Sequence, residues 1–192
     1  MSSTEGKLPE VMVFAGPNGS GKSTLARMAK TVGAYINADD IKRACLCSDL
    51  EAAQRAERLR EEMLARRADF TFETVLSTER NVRLLRRAKA DGYFVRGIYV
   101  LTAHPDINVI RVRAREALGG HGVPEEKIRT RYAKALALIP AFVEICDVAH
   151  IYDNTEEPFR IFKKRGQLFF RWANASWPLS GIARLTGIGD HQ

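Results

Sequence analysis

A glycine-rich segment between an apolar run and a helical pattern constrains this chain more than any other feature. Residues 16–23 read GPNGSGKS and satisfy the pattern Gly-x-x-x-x-Gly-Lys-Ser. Glycines at these intervals let the backbone turn tightly, so that its N–H groups can point at an anion. The preceding run predicts a strand over Val11–Ala15, and the following residues predict a helix over Ser23–Val32. In this context the segment is expected to bind the phosphates of ATP or GTP.

The residues of this loop have different expected roles. Lys22 is expected to reach the terminal phosphates, and the Ser23 hydroxyl is expected to bind Mg²⁺ with support from Thr24. The expected nucleotide-binding residues are Gly16, Pro17, Asn18, Gly19, Ser20, Gly21, Lys22, Ser23 and Thr24. The alternative, a glycine-rich turn that merely precedes a helix, explains neither the full motif nor both flanking elements.

Strand-length apolar runs alternate with longer helical patterns along the chain. This alternation predicts an α/β fold of the three-layer P-loop kinase type, with a mostly parallel central sheet of about five strands. Further strands are expected at Ala34–Asn37, Phe70–Leu76, Tyr93–Leu101 and Val148–Tyr152, and helices at 49–67, 79–91, 105–118 and 125–145, the last interrupted at Pro140. Residues 9–175 are expected to form one domain, after a flexible segment 1–8 and before a tail, 176–192, without assigned structure.

The composition limits the class of partner and the compartment. The net charge of +7 favours an anionic partner such as a nucleotide, a nucleotide-sugar, RNA or an acidic protein, without choosing among them. The chain has no apolar run of 18 or more residues, and its first residues lack a signal-peptide pattern. We therefore expect a cytoplasmic protein with no membrane segment.

Two acidic positions are candidates for handling a phosphate acceptor. Asp39 and Asp40 follow the second predicted strand, where a carboxylate could accept the proton of an attacking hydroxyl. The alternative is that they cap the next helix, and one of the two is expected to do so in any case. Glu73 lies inside an apolar strand, where a carboxylate is costly unless it is paired or bound. It could hold the acceptor or a water on Mg²⁺, or form a structural salt bridge with an arginine.

A basic helix and the loop after it provide candidate lid residues. Arg111 and Arg115 are four residues apart and hence share a helical face. Arginine suits the charge that develops on a transferring phosphoryl group, although a solvent-facing basic helix would look the same. His121 lies in a glycine-rich loop that could close over a nucleotide. The signatures LSGGQ and NKxD are absent, which argues against an ABC transporter ATPase and a switch GTPase.

Taken in order, several motifs resemble one known family. The segments are GPNGSGKST, INADD, FETVLST, AKADGYFVRGIYV, RVRAREALGGHGVP, IRTRY and YDN. Between Val11 and Asn154 they resemble the compact branch of the zeta-toxin-like kinases. The resemblance implies a P-loop kinase fold, ATP and Mg²⁺, and relatives that phosphorylate a hydroxyl of UDP-N-acetylglucosamine. It also implies a possible cognate antitoxin that blocks the nucleotide site.

The resemblance also implies roles for individual residues. It makes Asp39 the general base and Glu73 the acceptor-site carboxylate. Thr74 and His121 are further candidates for binding the acceptor. Arg111 or Arg115 fits the first lid arginine of the family, and no arginine stands at the place of the second, near His121. Where the well-known toxins continue with a Gly-Thr-Gly-Arg type stretch, this chain has residues 74–77, TVLS. The resemblance therefore implies the type of reaction but does not identify the acceptor.

The segment 158–172, PFRIFKKRGQLFFRW, interleaves cations with aromatic residues. Such a pattern can stack bases and hold a phosphate backbone, which keeps a polynucleotide or tRNA kinase open as an alternative. The favoured interpretation is a hairpin with its turn near Gly166, its aromatic residues packed on the core and its lysines at a solvated turn. An NAD kinase, or a nucleotide-dependent switch without phosphate transfer, are further alternatives.

Overall fold

The fold is built on one sheet, seen in a computed structural model that describes residues 7–120 and 122–189. The strands are β1 (Glu10–Ala15), β2 (Ala34–Ile36), β3 (Phe70–Thr74), β4 (Phe94–Leu101), β5 (Val148–Asp153), β6 (Phe159–Arg165) and β7 (Leu168–Arg171). Their order across the sheet is β2-β3-β1-β4-β5-β6-β7. The first five in this order pair in parallel, and β6 and β7 add an antiparallel hairpin. The predicted mostly parallel sheet is confirmed, with seven strands because the hairpin joins it.

Helices cover both faces of this sheet. They are α1 (Lys22–Met28), α2 (Ala38–Cys45), α3 (Asp49–Ala65), α4 (Glu79–Ala90), α5 (Pro105–Ala117), α6 (Glu125–Ala137), α7 (Ile139–Ile145) and α8 (Leu179–Thr186). In β1, Val11 and Val13 belong to a large core shared with α4, α7 and α8, whereas Met12 and Phe14 pack on the opposite face with α1. Every residue of β1 is buried, as expected of a central strand with two covered faces. The α/β three-layer fold class is thus confirmed.

Element boundaries follow local chemistry and depart from the predictions in places. Helix α3 begins at a capping box formed by Ser48 and Glu51. The predicted interruption at Pro140 is observed: α6 ends at Ala137, and α7 carries Pro140 in its first turn. Helix α1 ends at Met28, shorter than predicted, and β3 ends at Thr74 rather than residue 76.

The tail that had no assigned structure contains a helix. Ile182 of α8 is fully buried, and α8 packs against α7. Among the residues that the structure describes, no helix is long and apolar enough to cross a membrane. The C-terminal ends of β1, β3 and β4 lie side by side, because Ala15 pairs with Thr74 on one side and with Tyr99 on the other. This edge of the sheet is therefore where the loop after β1 meets residues from its neighbours.

Candidate active site

The loop between β1 and α1 adopts a conformation that requires its glycines. Gly19 and Gly21 have φ angles of 78° and 91°, in the left-handed region. A Cβ on Gly19 would lie 2.6 Å from the backbone oxygen of Asn108, and one on Gly21 would lie 2.3 Å from Nδ2 of Asn154. Larger residues at either position would therefore be both strained and in collision with a neighbour.

Two asparagine side chains hold the loop from outside. Nδ2 of Asn108, on α5, donates to the backbone oxygen of Asn18 at 2.6 Å, and Nδ2 of Asn154 donates to that of Ser20 at 2.8 Å. The hydroxyl of Thr102 donates to Oδ1 of Asn108, so the buried amide is oriented as well. Sequence reasoning gave neither asparagine a role. Asn154 is part of the YDN motif. Asn108 is a polar residue next to Val109, which the structure shows to be buried.

Glu73 lies directly beside Ser23, the last residue of the Gly-x-x-x-x-Gly-Lys-Ser motif. Strand β3, which carries Glu73, pairs with β1, and Phe14 is the register partner of Glu73. The Ser23 hydroxyl donates to Oε2 of Glu73 at 2.6 Å, and the Tyr35 hydroxyl donates to Oε1. Burial raises the pKa of Tyr35, and the hydrogen bond to Glu73 raises it further. Glu73 is thus held between two hydroxyl groups and makes no salt bridge with an arginine within the described chain.

Asp39 lies in the first turn of α2, and its side chain is not the helix cap. Asn37 is the N-cap, and its Oδ1 accepts a hydrogen bond from the backbone N–H of Asp39 at 2.8 Å. Asp40 instead pairs with Arg43 one turn further along the helix. The expectation that Asp39 or Asp40 caps this helix is wrong, because Asn37 already accepts the hydrogen bond of the free N–H. The Asp39 carboxylate lines the cleft in front of the loop.

The charge of Lys22 is influenced by four other charged residues of the site. Burial lowers its pKa, while Glu73 and Asp39 act in the opposite direction by favouring the charged form. Arg115 and Arg131 add a further lowering. Two carboxylates and two arginines thus act in opposite directions on the charge of one ammonium group.

The two arginines predicted on α5 have different surroundings. Nη1 and Nη2 of Arg111 donate to the backbone oxygens of Asn154 and Thr155 at 2.7 and 3.0 Å. Its guanidinium therefore holds the segment that follows β5, at the wall of the cleft. Arg115 also lines the cleft and acts on Lys22. Arg111 is thus bonded to backbone oxygens, whereas Arg115 acts on the charge of Lys22.

Arg131 on α6 was not singled out from the sequence. Its Nη1 lies 3.5 Å from Oδ1 of Asn18, a long contact, and its charge acts on Lys22. It belongs to the segment IRTRY, which was among the motifs of the resemblance. Arg131 reaches the loop because α6 packs against α5.

One predicted acceptor-binding residue, Thr74, is not part of this arrangement. Thr74 is buried, and its Oγ1 accepts hydrogen bonds from the backbone N–H of Leu76 at 2.9 Å and from Nδ2 of Asn81 at 2.7 Å. These bonds shape the turn after β3, and Thr74 is not among the residues that line the cleft. His121 lies outside the described residues.

The remaining side chains form one cleft of about 430 Å³. Its walls are formed by Gly19, Gly21, Lys22, Ser23, Thr24, Arg27, Tyr35, Asn37, Asp39, Asp40, Arg43, Glu73, Arg111, Val112 and Arg115. The volume is in the range of small-molecule sites. Ser23 and Glu73 place a hydroxyl and a carboxylate side by side, and such oxygen donors are the ligands that Mg²⁺ prefers.

The fold and this cleft together define a nucleotide-binding protein of the P-loop kinase class. A comparison with known families gives the particular one: the Zeta toxin family matches residues 1–165, and the chain belongs to it. An uncharacterized protein of Haemophilus influenzae is 29% identical over 129 residues, which cover 64% of this chain and 92% of that protein. The recognition of a zeta-toxin-like protein from the sequence is confirmed.

Solved structures share the fold at low sequence identity. The AvrRxo1-ORF1:-ORF2 complex with ATP matches with a TM-score of 0.72 and 15% identity over 95% of this chain. This chain spans only 65% of the length of the AvrRxo1 chain that it matches. The PezAT toxin-antitoxin system of Streptococcus pneumoniae matches with a TM-score of 0.60 and 15% identity, over 97% of this chain and 82% of that one. A chain of the Pnkp1/Rnl/Hen1 RNA repair complex matches with a TM-score of 0.55 and 16% identity, over 70% and 46%.

Proposed function

We propose that the protein is an ATP-dependent kinase that transfers the γ-phosphate to a hydroxyl group of a small, nucleotide-like molecule. The observation that supports this most directly is the meeting of Lys22, Asp39, Glu73 and Arg115 in one cleft. Catalysis of phosphoryl transfer depends mainly on positioning and charge neutralisation, and these residues supply both. Membership of the Zeta toxin family supports the same reaction class.

On the donor side, the phosphates of ATP would bind to the loop and to Lys22. The Ser23 hydroxyl would hold Mg²⁺ together with the phosphates, and Glu73 would accept a hydrogen bond from a water on the metal. When bound, Mg²⁺ neutralises charge on the phosphate oxygens. The contact between Ser23 and Glu73 supports this assignment, because it already places two suitable oxygens together.

On the acceptor side, Asp39 is proposed to act as the general base. It takes the proton of the acceptor hydroxyl as the oxygen bonds to the γ-phosphorus, while the bond from that phosphorus to the bridging oxygen breaks and ADP leaves. Lys22, Arg115 and Arg131 stabilise the negative charge on the transferred group and on ADP. Arg111 acts indirectly, because its guanidinium holds the backbone at Asn154 in place.

A sugar-nucleotide such as UDP-N-acetylglucosamine is the acceptor that we favour. Tyr35, Asn37 and Arg43 line the part of the cleft around Asp39. The ring of Tyr35 suits contact with a base or sugar ring, and the amide of Asn37 suits hydrogen bonds to hydroxyl groups. The guanidinium of Arg43 suits a diphosphate. NAD or the 5′-hydroxyl of a polynucleotide would satisfy the same chemistry and remain alternatives.

A cognate partner protein is part of this proposal. Two of the solved structures that share this fold are described as a complex of AvrRxo1-ORF1 with ORF2 and as a toxin-antitoxin system. We infer that an antitoxin covers the nucleotide cleft of this chain in the cytoplasm. A growth test on expression, with an inactive variant as control, addresses toxicity.

The acceptor is tested directly with γ-labelled ATP, Mg²⁺ and a panel of UDP-N-acetylglucosamine, NAD, nucleosides and 5′-hydroxyl RNA. Label is expected on the sugar-nucleotide, and Lys22→Ala should lower transfer by about 10²–10³-fold, because a charge that stabilises the transition state is removed. Label on NAD or RNA would show that the acceptor is a different molecule, while the proposed kinase activity would stand. Tight ATP binding with no labelled product from any acceptor would contradict the proposal and favour a switch without transfer.

A further inference from the structure

The sheet face that carries α1 extends beyond that helix onto β5, β6 and β7. The apolar cluster beneath α1 includes Met12, Phe14, Ile98 and Val100, and reaches Tyr152 on β5 as a partly buried neighbour. Strand register continues the same face outward, because His150 pairs with Lys163 and Lys163 pairs with Phe170. We call this outer part the open face; it comprises Arg96, His150, Tyr152, Arg160, Lys163, Arg165, Leu168, Phe170 and Trp172.

Aromatic rings lie exposed on the open face in a stacked arrangement. The rings of Phe170 and Trp172 have centroids 6.1 Å apart and planes inclined by 23°. These side chains are 52% and 36% exposed. The guanidinium of Arg160 lies 4.9 Å from the centroid of the Trp172 ring. Large aromatic side chains left exposed side by side mark a surface for a partner.

The charge of the open face is positive. Arg96 pairs with Glu10 at 2.6 Å, and Arg160, Lys163 and Arg165 add three cations along β6. Nε of Arg160 is buried and has no hydrogen-bond partner within the described chain. Burial, followed by the charges of Arg160, Lys163 and Arg96, lowers the pKa of His150 to about 4.

We propose that the open face binds single-stranded nucleic acid. Bases stack on Phe170 and Trp172, and the phosphate backbone lies along Arg160, Lys163 and Arg165. Nucleic acid fits this surface better than an acidic protein segment does, because every base offers a planar ring to the exposed aromatic faces while the backbone supplies regularly spaced anions. The inference is independent of the proposed kinase reaction, since the open face contains none of the residues assigned to the cleft.

Trp172 itself can report the binding. The chain has two tryptophans, so Trp177→Phe leaves Trp172 as the single indole fluorophore. Titration of this variant with a 12-nucleotide single-stranded RNA, in saturating ATP to occupy the cleft, should quench the fluorescence by base stacking. A fluorophore-labelled copy of the RNA gives the affinity of the unmodified protein by anisotropy. Absence of both quenching and anisotropy change at low salt would overturn the proposal.

Variants separate stacking from general charge attraction. Phe170→Ala with Trp172→Ala should weaken RNA binding by about 30-fold or more, because two base stacks are lost. Lys163→Glu should also reduce the dependence of affinity on salt, by about 0.7 in the logarithmic slope. Arg86→Glu on α4 makes the same charge change at an exposed position elsewhere and should leave the affinity within about twofold.

Three outcomes would contradict the inference. The aromatic double variant could bind RNA as tightly as the unmodified protein, or Arg86→Glu could weaken binding as much as Lys163→Glu. A glutamate-rich peptide could also displace the RNA at equal concentration, which would assign the open face to an acidic protein instead. ATP binding of each variant, measured in parallel, shows that the protein is folded.

Discussion

At the scale of single residues, the surroundings of Lys22 set the expected effect of each substitution in the cleft. Asp39 and Glu73 favour the charged lysine, and Arg115 and Arg131 oppose it. Each arginine is therefore held near like charge, a cost that phosphate anions would offset on binding. Arg111, whose guanidinium is bonded to two backbone oxygens, belongs to the support of the site.

The role of Arg131 gives the first residue-level prediction. Arg131→Ala should lower kcat for phosphoryl transfer by about 100-fold, since one donor that stabilises the developing charge is lost. The Kd of ATP should change by less than about threefold. Rapid-quench kinetics and nucleotide titration measure the two quantities separately.

Arg129→Ala is the matched control for this prediction. Arg129 is on the same helix, and its guanidinium pairs with Asp106 and Glu125 away from the loop. This variant should keep its kcat. Full activity in Arg131→Ala, or an equal loss in both variants, would remove Arg131 from the proposed mechanism.

The sequence predicted individual site residues only where a local motif specified them. Lys22 and Ser23 follow from the loop pattern, and Asp39 and Glu73 from their positions after or within short strands. Arg131 could not be placed by spacing, because its approach to Asn18 depends on how α6 packs against α5. Helix capping at Asn37 was missed because two carboxylates beside it were equally good caps by residue type.

At the scale of secondary-structure elements, helix α8 and the β6–β7 hairpin complete the sheet and its core. Ile182 of α8 belongs to the same buried cluster as Phe162 of β6, and Phe169 of β7 packs against that cluster. One face of the hairpin therefore packs apolar residues against the core, and its opposite face forms part of the open face. Both elements contribute to a core that also contains Val11 and Val13 of β1.

Helix α8 leads to a stability prediction. Ile182→Ala should lower the free energy of unfolding by about 2–4 kcal/mol, because a fully buried side chain is removed and a cavity remains. Leu179→Ala on the same helix, where the side chain is 51% exposed, should cost less than about 1 kcal/mol. Urea denaturation measures both. Equal losses, or no loss for Ile182→Ala, would show that α8 does not pack on the core.

The elements differed in how far their patterns predicted them. Parallel strands with buried faces on both sides, such as β1 and β4, gave continuous apolar runs, and their helical crossovers followed. The hairpin turn at Gly166 was expected, but whether it paired with β5 depended on tertiary contacts that no local pattern contains. Helix α8 was missed because an eight-residue helix carries too few apolar positions for a clear period.

At the scale of the whole molecule, the strand order explains why one edge of the sheet carries the site. β1 lies between β3 and β4, so the loop after β1 meets Glu73 from one side and the segment after β5 through Asn154 from the other. The α5 and α6 helices bring arginines to the same edge. The donor and acceptor residues of the proposed reaction thus come from distant parts of the chain, and the parallel sheet brings them together.

The measurement that tests the central claim most directly is a comparison of ATP binding and phosphoryl transfer in Asp39→Asn. With the acceptor that takes up label, the rate of transfer at saturating ATP should fall by about 10²–10⁴-fold, because the proton acceptor is lost. The Kd of ATP should stay within about threefold of the unmodified value. Transfer at the unmodified rate by Asp39→Asn would contradict the account.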